Sequence, residues 1–216
     1  ISGQTAASVA MLTHEVLINE TGTLKKITIQ QLWNLIAPQG YLWTLTMSNA
    51  ADTVNDITVA AGEAKDEGAA VVMVLAAAIT KQIDAAWAVG TNQGGMNTGA
   101  VANDTWYEVH LIRRSDTGVV DVMFTTTANR ATLPTNYTQQ RRIGWVRRGT
   151  ATNLQFTQID DRVTLTTPIN DISATATASA TSRTLTVPPS SIARFRAACL
   201  GNTGVNAAIA IVFSEL

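Results

Sequence analysis

The two histidines of the 216-residue sequence, His14 and His110, are the first candidates for chemistry. Histidine can act as a general base, a general acid or a metal ligand near neutral pH. His14 lies in an N-terminal arm, whereas His110 lies in a predicted strand and shares a face with Glu108, because alternate residues of a strand face the same side. Isolated histidines in such positions are more typical of a surface or a core edge than of a catalytic base or a metal pair.

Adjacent carboxylates are the second candidate, because an enzyme that cleaves glycans uses two of them. Asp160 and Asp161 are the only adjacent pair of aspartates, and the pattern places them in a turn, where such residues usually cap backbone groups. Asp116, Asp121 and Glu108 lie on or beside one predicted hairpin and could approach one another. The sequence also has no zinc-protease, nucleophile-elbow or P-loop motif, and we therefore expect no enzymatic activity.

Three arginine doublets supply most of the clustered positive charge: Arg113-Arg114, Arg141-Arg142 and Arg147-Arg148. In a strand each doublet places one guanidinium group on each face. Such groups could bind phosphate or sulfate, but pairing with carboxylates across strands or subunits is the favoured interpretation. The formal net charge of -1 gives no basic face, so we expect no nucleic-acid partner.

A glycine-rich stretch, residues 90–99, follows the third of the five tryptophans. Only one residue in it could contribute to a core, so the pattern predicts a long exposed loop. Trp87, Asn92, Gln93 and Asn97 are therefore candidate contacts to a receptor or to another subunit, and the Trp87 ring could stack on a sugar. The stretch lacks the lysine and the strand–turn–helix setting of a phosphate cradle, and with the single Cys199 we expect neither a cofactor nor a metal site.

The composition combines few charges with many apolar residues. Charged residues make up 14% of the chain, against about 25% in typical globular proteins, and hydrophobic residues make up 46%. No run of apolar residues is long enough to cross a bilayer, so we expect no membrane insertion. The low charge predicts a subunit of an assembly, in which neighbouring copies cover much of the surface.

Residues 1–40 are predicted to form a small N-terminal unit. Two short apolar runs surround a turn at Gly22, which predicts a small β-hairpin or a β-arc. Thr28 and Gln31 have the spacing of a capping box, and the helix that they begin should end before Pro38. A unit of this size cannot bury its own apolar face, so it should dock on another surface.

The predicted fold is all-β, with an antiparallel, jelly-roll-like β-sandwich body over residues 41–168. The pattern predicts strands near residues 41–47, 57–60 and 70–75, the last a central strand, and hairpins over 106–126 and 142–159, followed by a strand over 162–167. This alternation is compatible with a sandwich or a barrel. A short helix or a turn-rich crossover is favoured over residues 77–88, where apolar residues recur every four positions. Residues 169–216 either complete the body sheet or form a second small β module.

Two stretches of the sequence resemble proteins of tailed-bacteriophage particles. Residues 13–32, from Thr13-His14-Glu15 through Gly22 and Lys25-Lys26 to Leu32, are similar to a short segment near the start of many tail fibres and spikes. Residues 49–149 resemble a body domain of phage and prophage tail-fibre proteins in a series of spaced blocks. These blocks are Asn55-Asp56-Ile57, Ala60-Ala61-Gly62-Glu63, Leu75-Ala76, Ile79-Thr80-Lys81, residues 84–91, Gly94-Gly95, Thr98-Gly99, residues 114–122 and residues 141–144.

The resemblance implies a non-enzymatic structural protein of the virion, a tail fibre for host attachment, with a homotrimer as the expected oligomer. It also implies a segment that attaches the chain to other virion proteins, at Val16, Leu17, Ile18, Lys25, Lys26, Ile27 and Leu32. A host-surface glycan is a further candidate partner. The alternatives are a capsid decoration protein or head fibre, a baseplate or collar protein, an independent carbohydrate-binding module and a glycan-degrading enzyme.

Overall fold

The computed structural model describes residues 13–159, 162–171 and 184–191. These residues contain fourteen β-strands, one α-helix and one short 3₁₀ helix at Thr127–Asn129, so the prediction of an all-β fold is confirmed. The chain divides into two compact units, Ile1–Thr186 and Val187–Leu216. The strands predicted for the C-terminal region, together with Cys199 and the Asp160-Asp161 pair, lie outside the described residues, and the domain boundaries at residues 40 and 168 stay predictions.

The N-terminal hairpin has the predicted form. Strand β1 (Glu15–Glu20) pairs antiparallel with β2 (Thr23–Thr28). The turn between them has positive φ angles at Thr21 and Gly22, 52° and 85°, a conformation that glycine adopts without steric cost. The Asn19 side chain accepts a hydrogen bond of 2.8 Å from the Gly22 amide and closes the turn.

Helix α1 (Ile29–Ile36) begins at the predicted capping box. The Thr28 hydroxyl accepts a hydrogen bond from the Gln31 amide at 3.1 Å, and the Gln31 side chain accepts one from the Thr28 amide at 2.8 Å. These two bonds satisfy amides that have no partner within the helix. The helix ends at Ala37, directly before Pro38, as proline geometry requires.

The body consists of two sheets packed face to face. The smaller has the order β3 (Leu42–Thr44), β6 (Gly62–Lys65) and β7 (Val72–Leu75), all antiparallel. The larger has the order β12-β10-β11-β9-β8-β5-β4. Its strands are β4 (Met47–Asn49), β5 (Asp56–Val59), β8 (Ile79–Ala86), β9 (Gln93–Met96), β10 (Thr105–Arg114), β11 (Val120–Thr125) and β12 (Tyr137–Arg148). The hairpin of β13 (Phe156–Ile159) and β14 (Arg162–Leu165) pairs separately.

One hydrophobic core joins the two sheets, as expected for a sandwich. It includes Ala64, Met73 and Leu75 from the smaller sheet and Val109, Leu111, Val122 and Phe124 from the larger. The larger sheet is mixed rather than wholly antiparallel, because β9 runs parallel to both of its neighbours, β8 and β11.

Two details of the predicted strands were wrong. The single strand over residues 41–47 is split, since Thr44 and Leu45 have φ angles of 55° and 53° and send the chain from one sheet to the other. Strand β7 is an edge strand and not a central one. Met73 and Leu75 on one face of β7 belong to the core between the sheets. Val72, on the other face, is also buried, and its amide donates to the Asn34 side chain of α1.

The short helix or turn-rich crossover predicted over residues 77–88 is also wrong, because strand β8 occupies this region. The apolar residues recur every four positions, and four is a multiple of the two-residue period of a strand. Ile79 and Ile83 therefore share a face of β8 just as they would share a face of a helix, and both are buried there. The periodicity alone could not distinguish the two structures.

The long exposed loop predicted over residues 90–99 contains a buried strand instead. Gly94, Gly95 and Met96 of β9 are buried between β8 and β11. A Cβ atom at Gly94 would lie 2.0 Å from the Ala86 carbonyl oxygen, and one at Gly95 would lie 2.6 Å from the Phe124 ring. The glycines are required by close packing, whereas the sequence suggested that they marked a loop.

The predicted hairpins are confirmed in one case and corrected in the other. β10 and β11 pair antiparallel across the turn at residues 115–118, as expected. The second predicted turn, at residues 149–153, is present, and it is closed by an antiparallel bridge between Arg148 and Asn153. The strand that follows it, β13, pairs with β14 and not with β12. Strand β12 extends farther back than predicted and pairs along β10 instead.

Candidate functional site: a cleft on the body and an apolar N-terminal surface

A cleft of about 410 Å³ opens on the larger sheet. Its apolar lining comes from Trp87, which follows β8, from Val89, from Pro134 and from Tyr137, the first residue of β12. Its polar lining comes from Asn97, which follows β9, from Arg114 at the end of β10 and from Thr135. The volume lies in the range of sites that bind small molecules.

The Trp87 ring is fixed in the cleft wall by three contacts. Its indole N–H donates a hydrogen bond of 3.0 Å to the Val122 carbonyl oxygen on β11. The ring meets Tyr137 edge to face, with ring centres 5.0 Å apart. The Lys81 ammonium group lies 5.2 Å from the centre of the same ring, a favourable cation–π geometry. The wall is therefore in place before any ligand enters.

The polar groups of the cleft are only partly satisfied by the protein. The Asn97 side-chain amide donates to the Asn129 and Thr132 carbonyl oxygens at 3.0 and 2.9 Å, but its own oxygen has no partner although it is buried. The Tyr137 hydroxyl is likewise buried and without a partner. Burial raises the pKa of Tyr137 to about 12, so its hydroxyl is protonated and can donate.

Arg114 forms a two-bonded ion pair with Asp116 in the turn after β10. The guanidinium Nε and Nη2 atoms donate to the two carboxylate oxygens at 2.9 and 2.6 Å. The hydrogen bonds from Arg114 lower the pKa of the Asp116 carboxyl to about 2. The pair lies at the surface and is nearly neutral as a unit, and Arg114 also lines the cleft.

A buried ion pair of Lys81 and Asp121 lies behind Trp87. The Lys81 ammonium group is 3.1 Å from an Asp121 oxygen, and the two side chains are 0% and 1% exposed. Lys81 also donates to the Ala88 and Gly90 carbonyl oxygens, while Asp121 accepts from the Gly90 and Val122 amides at 2.7 and 2.6 Å. Burial lowers the pKa of Lys81, and the Asp121 carboxylate opposes that shift. The pair anchors the chain that follows β8.

The second buried group of charges contains Glu108 and His110. His110 was expected at the surface or at a core edge, but its side chain on β10 is 0% exposed. Its Nε2 lies 2.7 Å from a Glu108 oxygen, and the other oxygen accepts a bond of 3.0 Å from the Thr127 hydroxyl. A carboxylate only accepts, so Nε2 carries the proton, and Nδ1 is left buried without a partner.

The three carboxylates that the sequence placed around this hairpin do not form a catalytic pair. Each faces a different basic side chain: Asp116 faces Arg114, Asp121 faces Lys81, and Glu108 faces His110 with Arg142 at 3.8 Å. Within the described ranges no group of three histidine, cysteine, aspartate or glutamate side chains is arranged to hold a metal ion.

The arginine doublets have varied partners. Arg142 approaches Glu108 on the neighbouring strand, as predicted, and stacks on Trp145 with 5.1 Å from the guanidinium carbon to the ring centre. Arg147 likewise stacks on Trp106 at 5.5 Å. Arg148 is buried and donates to backbone and amide oxygens near the end of β12. These guanidinium groups stabilise the sheet and are not collected into one anion-binding patch.

The structure brings together only half of the predicted receptor or subunit contacts. Trp87 and Asn97 both line the cleft, whereas Asn92 and Gln93 are exposed at the start of β9 and are not part of it. Sequence reasoning missed Pro134, Thr135 and Tyr137. The only available signal was an aromatic residue after a Pro-Thr-Asn turn, which does not by itself indicate a site.

The predicted attachment segment forms an exposed apolar surface at the N-terminal end of the described chain. Leu24 and Leu35 are 70% and 76% exposed. The hairpin charges are paired within the hairpin, Lys25 with Glu20 and Lys26 with Glu15. We call the exposed apolar side chains of β1, β2 and α1 the N-terminal apolar surface: Val16, Leu17, Ile18, Leu24, Leu32, Leu35 and Ile36. Ile27 is half-buried.

The opposite side of helix α1 docks on the body. Trp33 packs edge to face against Tyr41 with ring centres 5.3 Å apart. The Asn34 side chain accepts a hydrogen bond of 2.9 Å from the Val72 amide on β7, and Lys65 donates to the Ala37 carbonyl oxygen. These contacts fix the helix on the smaller sheet and leave Leu32, Leu35 and Ile36 facing outward.

Helix α1 is far shorter than a membrane span, and the part of the chain that the structure describes has no helix with the length and apolar character to cross a bilayer.

Comparisons of the chain with models of protein families, with curated proteins and with solved structures each gave no significant match.

Proposed function

We propose that the chain is a non-enzymatic structural protein of a bacteriophage virion, a tail fibre that acts in host attachment. In this proposal the chain is a homotrimer, the N-terminal segment binds other virion proteins, and the β-sandwich body projects outward. The proposal rests on the sequence resemblance of residues 13–32 and 49–149 and on one structural observation, the N-terminal apolar surface.

The N-terminal apolar surface supports association because its exposure is costly. Burying a leucine side chain is worth about 1.5–3 kcal/mol, and Leu24 and Leu35 are both mostly exposed. The paired hairpin charges and the anchored helix keep these side chains in a fixed arrangement. Leu17 and Leu24 lie on one face of the hairpin, and Val16 and Ile18 lie on the other, so the hairpin exposes apolar side chains on both faces. Exposed apolar surface of this kind marks an interaction site. Closed symmetry would bury the same side chains of every copy.

The buried ionisable groups among the described residues also support a structural role. Lys81 with Asp121, and Glu108 with His110, are the most buried charged groups, and each is held by strand and loop contacts away from solvent. A catalytic acid or base has to reach a substrate. These groups serve to fix the sheet and the chain after β8.

Light scattering of the full chain tests the oligomer. We expect a mass three times that of the chain, and a lower mass for the double variant Leu24→Asp/Leu35→Asp, because the charges would have to be buried in the interface. Ile159→Asp is the matched control, since Ile159 is 69% exposed but lies on β13, outside the N-terminal apolar surface. A stable monomer of the unaltered chain would overturn the proposal.

Electron microscopy of particles labelled with an antibody against the chain tests the position. Label at the distal tail supports a tail fibre. Label on the head indicates a decoration protein or head fibre, and label at the neck or baseplate indicates a collar or baseplate protein. Particles without any label, in a preparation that contains the protein, would contradict a virion role and favour an independent carbohydrate-binding module.

A further inference from the structure

We propose that Lys81 and Asp121 form an intramolecular isopeptide bond, an amide between the Nζ atom of Lys81 and the side-chain carbonyl carbon of Asp121. The two side chains belong to β8 and β11, the strands that flank β9 in the larger sheet. The inference rests on the position, the hydrogen bonds and the burial of this one pair. It goes beyond the proposed function, because it requires neither a virion nor a trimer.

The fold keeps the two reacting groups in contact. The Nζ atom of Lys81 lies 3.1 Å from the Oδ1 atom of Asp121, and the two side chains are 0% and 1% exposed. Groups that a structure holds together in this way react as if one were present at a very high concentration, about 10⁵–10⁸ M in well-oriented intramolecular reactions. Burial also excludes water, whose attack would reverse a condensation.

The hydrogen bonds of Lys81 orient its amine toward the carboxyl group. Besides Asp121, the Nζ atom contacts the carbonyl oxygens of Ala88 and Gly90, to which it donates. A neutral amine has two N–H groups and one lone pair. When the N–H groups stay on the two carbonyl oxygens, the lone pair is directed toward Asp121. Burial lowers the pKa of Lys81, against the opposing effect of the Asp121 carboxylate, and so favours the neutral amine that attacks.

Two backbone amides are placed to stabilise the negative charge that develops on the Asp121 carboxyl group during the attack. The Gly90 amide donates to Oδ2 at 2.7 Å, and the Val122 amide donates to Oδ1 at 2.6 Å. Donors that are in position before the reaction stabilise the oxyanion of a tetrahedral intermediate. The carboxyl group of Asp121 therefore has the surroundings that acyl transfer requires.

The reaction is a condensation that needs no further reactant. The Lys81 ammonium group first passes one proton to Oδ1 of Asp121, which gives a neutral amine beside a neutral acid. The lone pair of Nζ then attacks Cγ, and the negative charge moves to Oδ2, to which the Gly90 amide donates. A second proton passes from Nζ to Oδ1, the Cγ–Oδ1 bond breaks and water leaves, while the new C–N bond remains. One ammonium group and one carboxylate thus become one amide and one water molecule.

The product fits these surroundings better than the ion pair does. Two buried charges disappear, and burying charges is costly even when they are paired. The remaining amide N–H can donate to the carbonyl oxygen of Ala88 or Gly90, and the amide oxygen accepts from the Gly90 N–H. The bond also ties β8 to β11 and closes a loop over residues 81–121, so it restricts the unfolded chain as a disulfide does.

Mass spectrometry of the full chain tests the inference. The intact mass under denaturing conditions should be lower than the sequence mass by one molecule of water. Trypsin does not cleave after an acylated lysine, so residues 66–113 should stay one peptide, joined to residues 115–130, and fragmentation should place the link at Asp121. Lys65 is the internal control, because it is also buried but donates to the Ala37 carbonyl oxygen, and cleavage after it should proceed.

Lys81→Met removes the amine and keeps an apolar side chain. This variant should have its full sequence mass and a lower melting temperature than the unaltered chain, whereas Lys65→Met should still lack one water molecule. Two results would overturn the inference: an unaltered chain that is folded by circular dichroism yet has the full sequence mass and is cleaved after Lys81, or a missing water molecule that persists in Lys81→Met. A trimer on labelled particles with the full sequence mass would refute this inference and leave the proposed function intact. A cross-linked monomer would do the reverse.

Discussion

At the scale of single residues, buried charge is the main feature of the body. Lys81, Asp121, Glu108 and His110 are almost completely buried in a chain in which only 14% of residues are charged. Each charge is compensated by a partner, because an isolated buried ion costs several kcal/mol. His110 differs from the others, because it can stay neutral and so avoid the free-energy cost of burying a charge.

Stability should therefore fall in mild acid because of His110. Burial lowers the pKa of His110 below its ordinary value of 6.5, against the opposing effects of Glu108 and Glu67 and with a smaller contribution from Arg142. Below pH 6.5, His110 therefore binds a proton in the unfolded chain but stays neutral in the folded chain. The contribution of His110 to the free energy of unfolding should be constant above pH 6.5. Below pH 6.5 this contribution should decline, by at most about 1.4 kcal/mol per pH unit, until the pH reaches the pKa of His110 in the folded protein.

Urea denaturation at a series of pH values measures this effect. His110→Gln is the matched variant, because glutamine can donate to Glu108 and does not titrate. The decline below pH 6.5 should be smaller in the variant. Equal pH profiles for the two proteins would show that His110 is not the group responsible. The Asp116 carboxyl, with its pKa of about 2, titrates in a lower window and does not interfere.

At the scale of elements, strand β9 decides the arrangement of the larger sheet. It pairs in parallel with β8 on one side and with β11 on the other, and so joins the β4–β5–β8 strands to the β10–β11–β12 strands. Its two central residues are Gly94 and Gly95, and both approach neighbouring atoms too closely for any side chain. The cleft depends on this strand, because Asn97 directly follows it.

Gly94→Ala should destabilise the protein severely. The new Cβ atom would lie 2.0 Å from the backbone oxygen of Ala86, and a backbone atom cannot move aside without disturbing β8. We expect a loss of about 3 kcal/mol in the free energy of unfolding, the upper end of the usual cost of overpacking. Urea denaturation measures it.

Gly99→Ala is the comparison for this change. Gly99 has a φ of 78° but no atom within 4 Å of an added Cβ, so the alanine costs only the backbone strain of about 1–2 kcal/mol. If Gly94→Ala cost no more than Gly99→Ala, the close packing of β9 against β8 would be wrong.

At the scale of the whole molecule, the low charge and the N-terminal apolar surface predict how the proposed trimer responds to salt. The hairpin charges are paired within one chain, Lys25 with Glu20 and Lys26 with Glu15, so they are not needed between chains. Association through apolar side chains is not weakened by screening. The trimer mass measured by light scattering should be the same in about 0.15 M and about 1 M NaCl. Dissociation at the higher concentration would show an electrostatic interface.

Local features of the fold were predictable because their causes lie within a few residues. The capping box of Thr28 and Gln31, the end of α1 before Pro38 and the turn at Gly22 each depend on neighbouring backbone groups. The β10–β11 hairpin was predictable for the same reason. Two of the seven residues that line the cleft were also anticipated, since Trp87 precedes the glycine-rich stretch and Asn97 lies within it.

Other features were decided by the tertiary structure. Ile79 and Ile83 fit a strand and a helix equally well, and only pairing with β5 and β9 makes β8 a strand. The sequence around Gly94 and Gly95 predicts a loop. Only the structure shows that these glycines lie in close contact with Ala86 and Phe124. Tyr137 reaches Trp87 because β12 pairs with β10 along its whole length.

The sequence by itself determined the turns, the helix and the all-β character, since these follow from short-range sterics and hydrogen bonding. The tertiary structure alone decided which strands are neighbours, which charges are buried and where the cleft lies. Contacts between residues distant in the chain set these features, and the local pattern of residue types does not encode them.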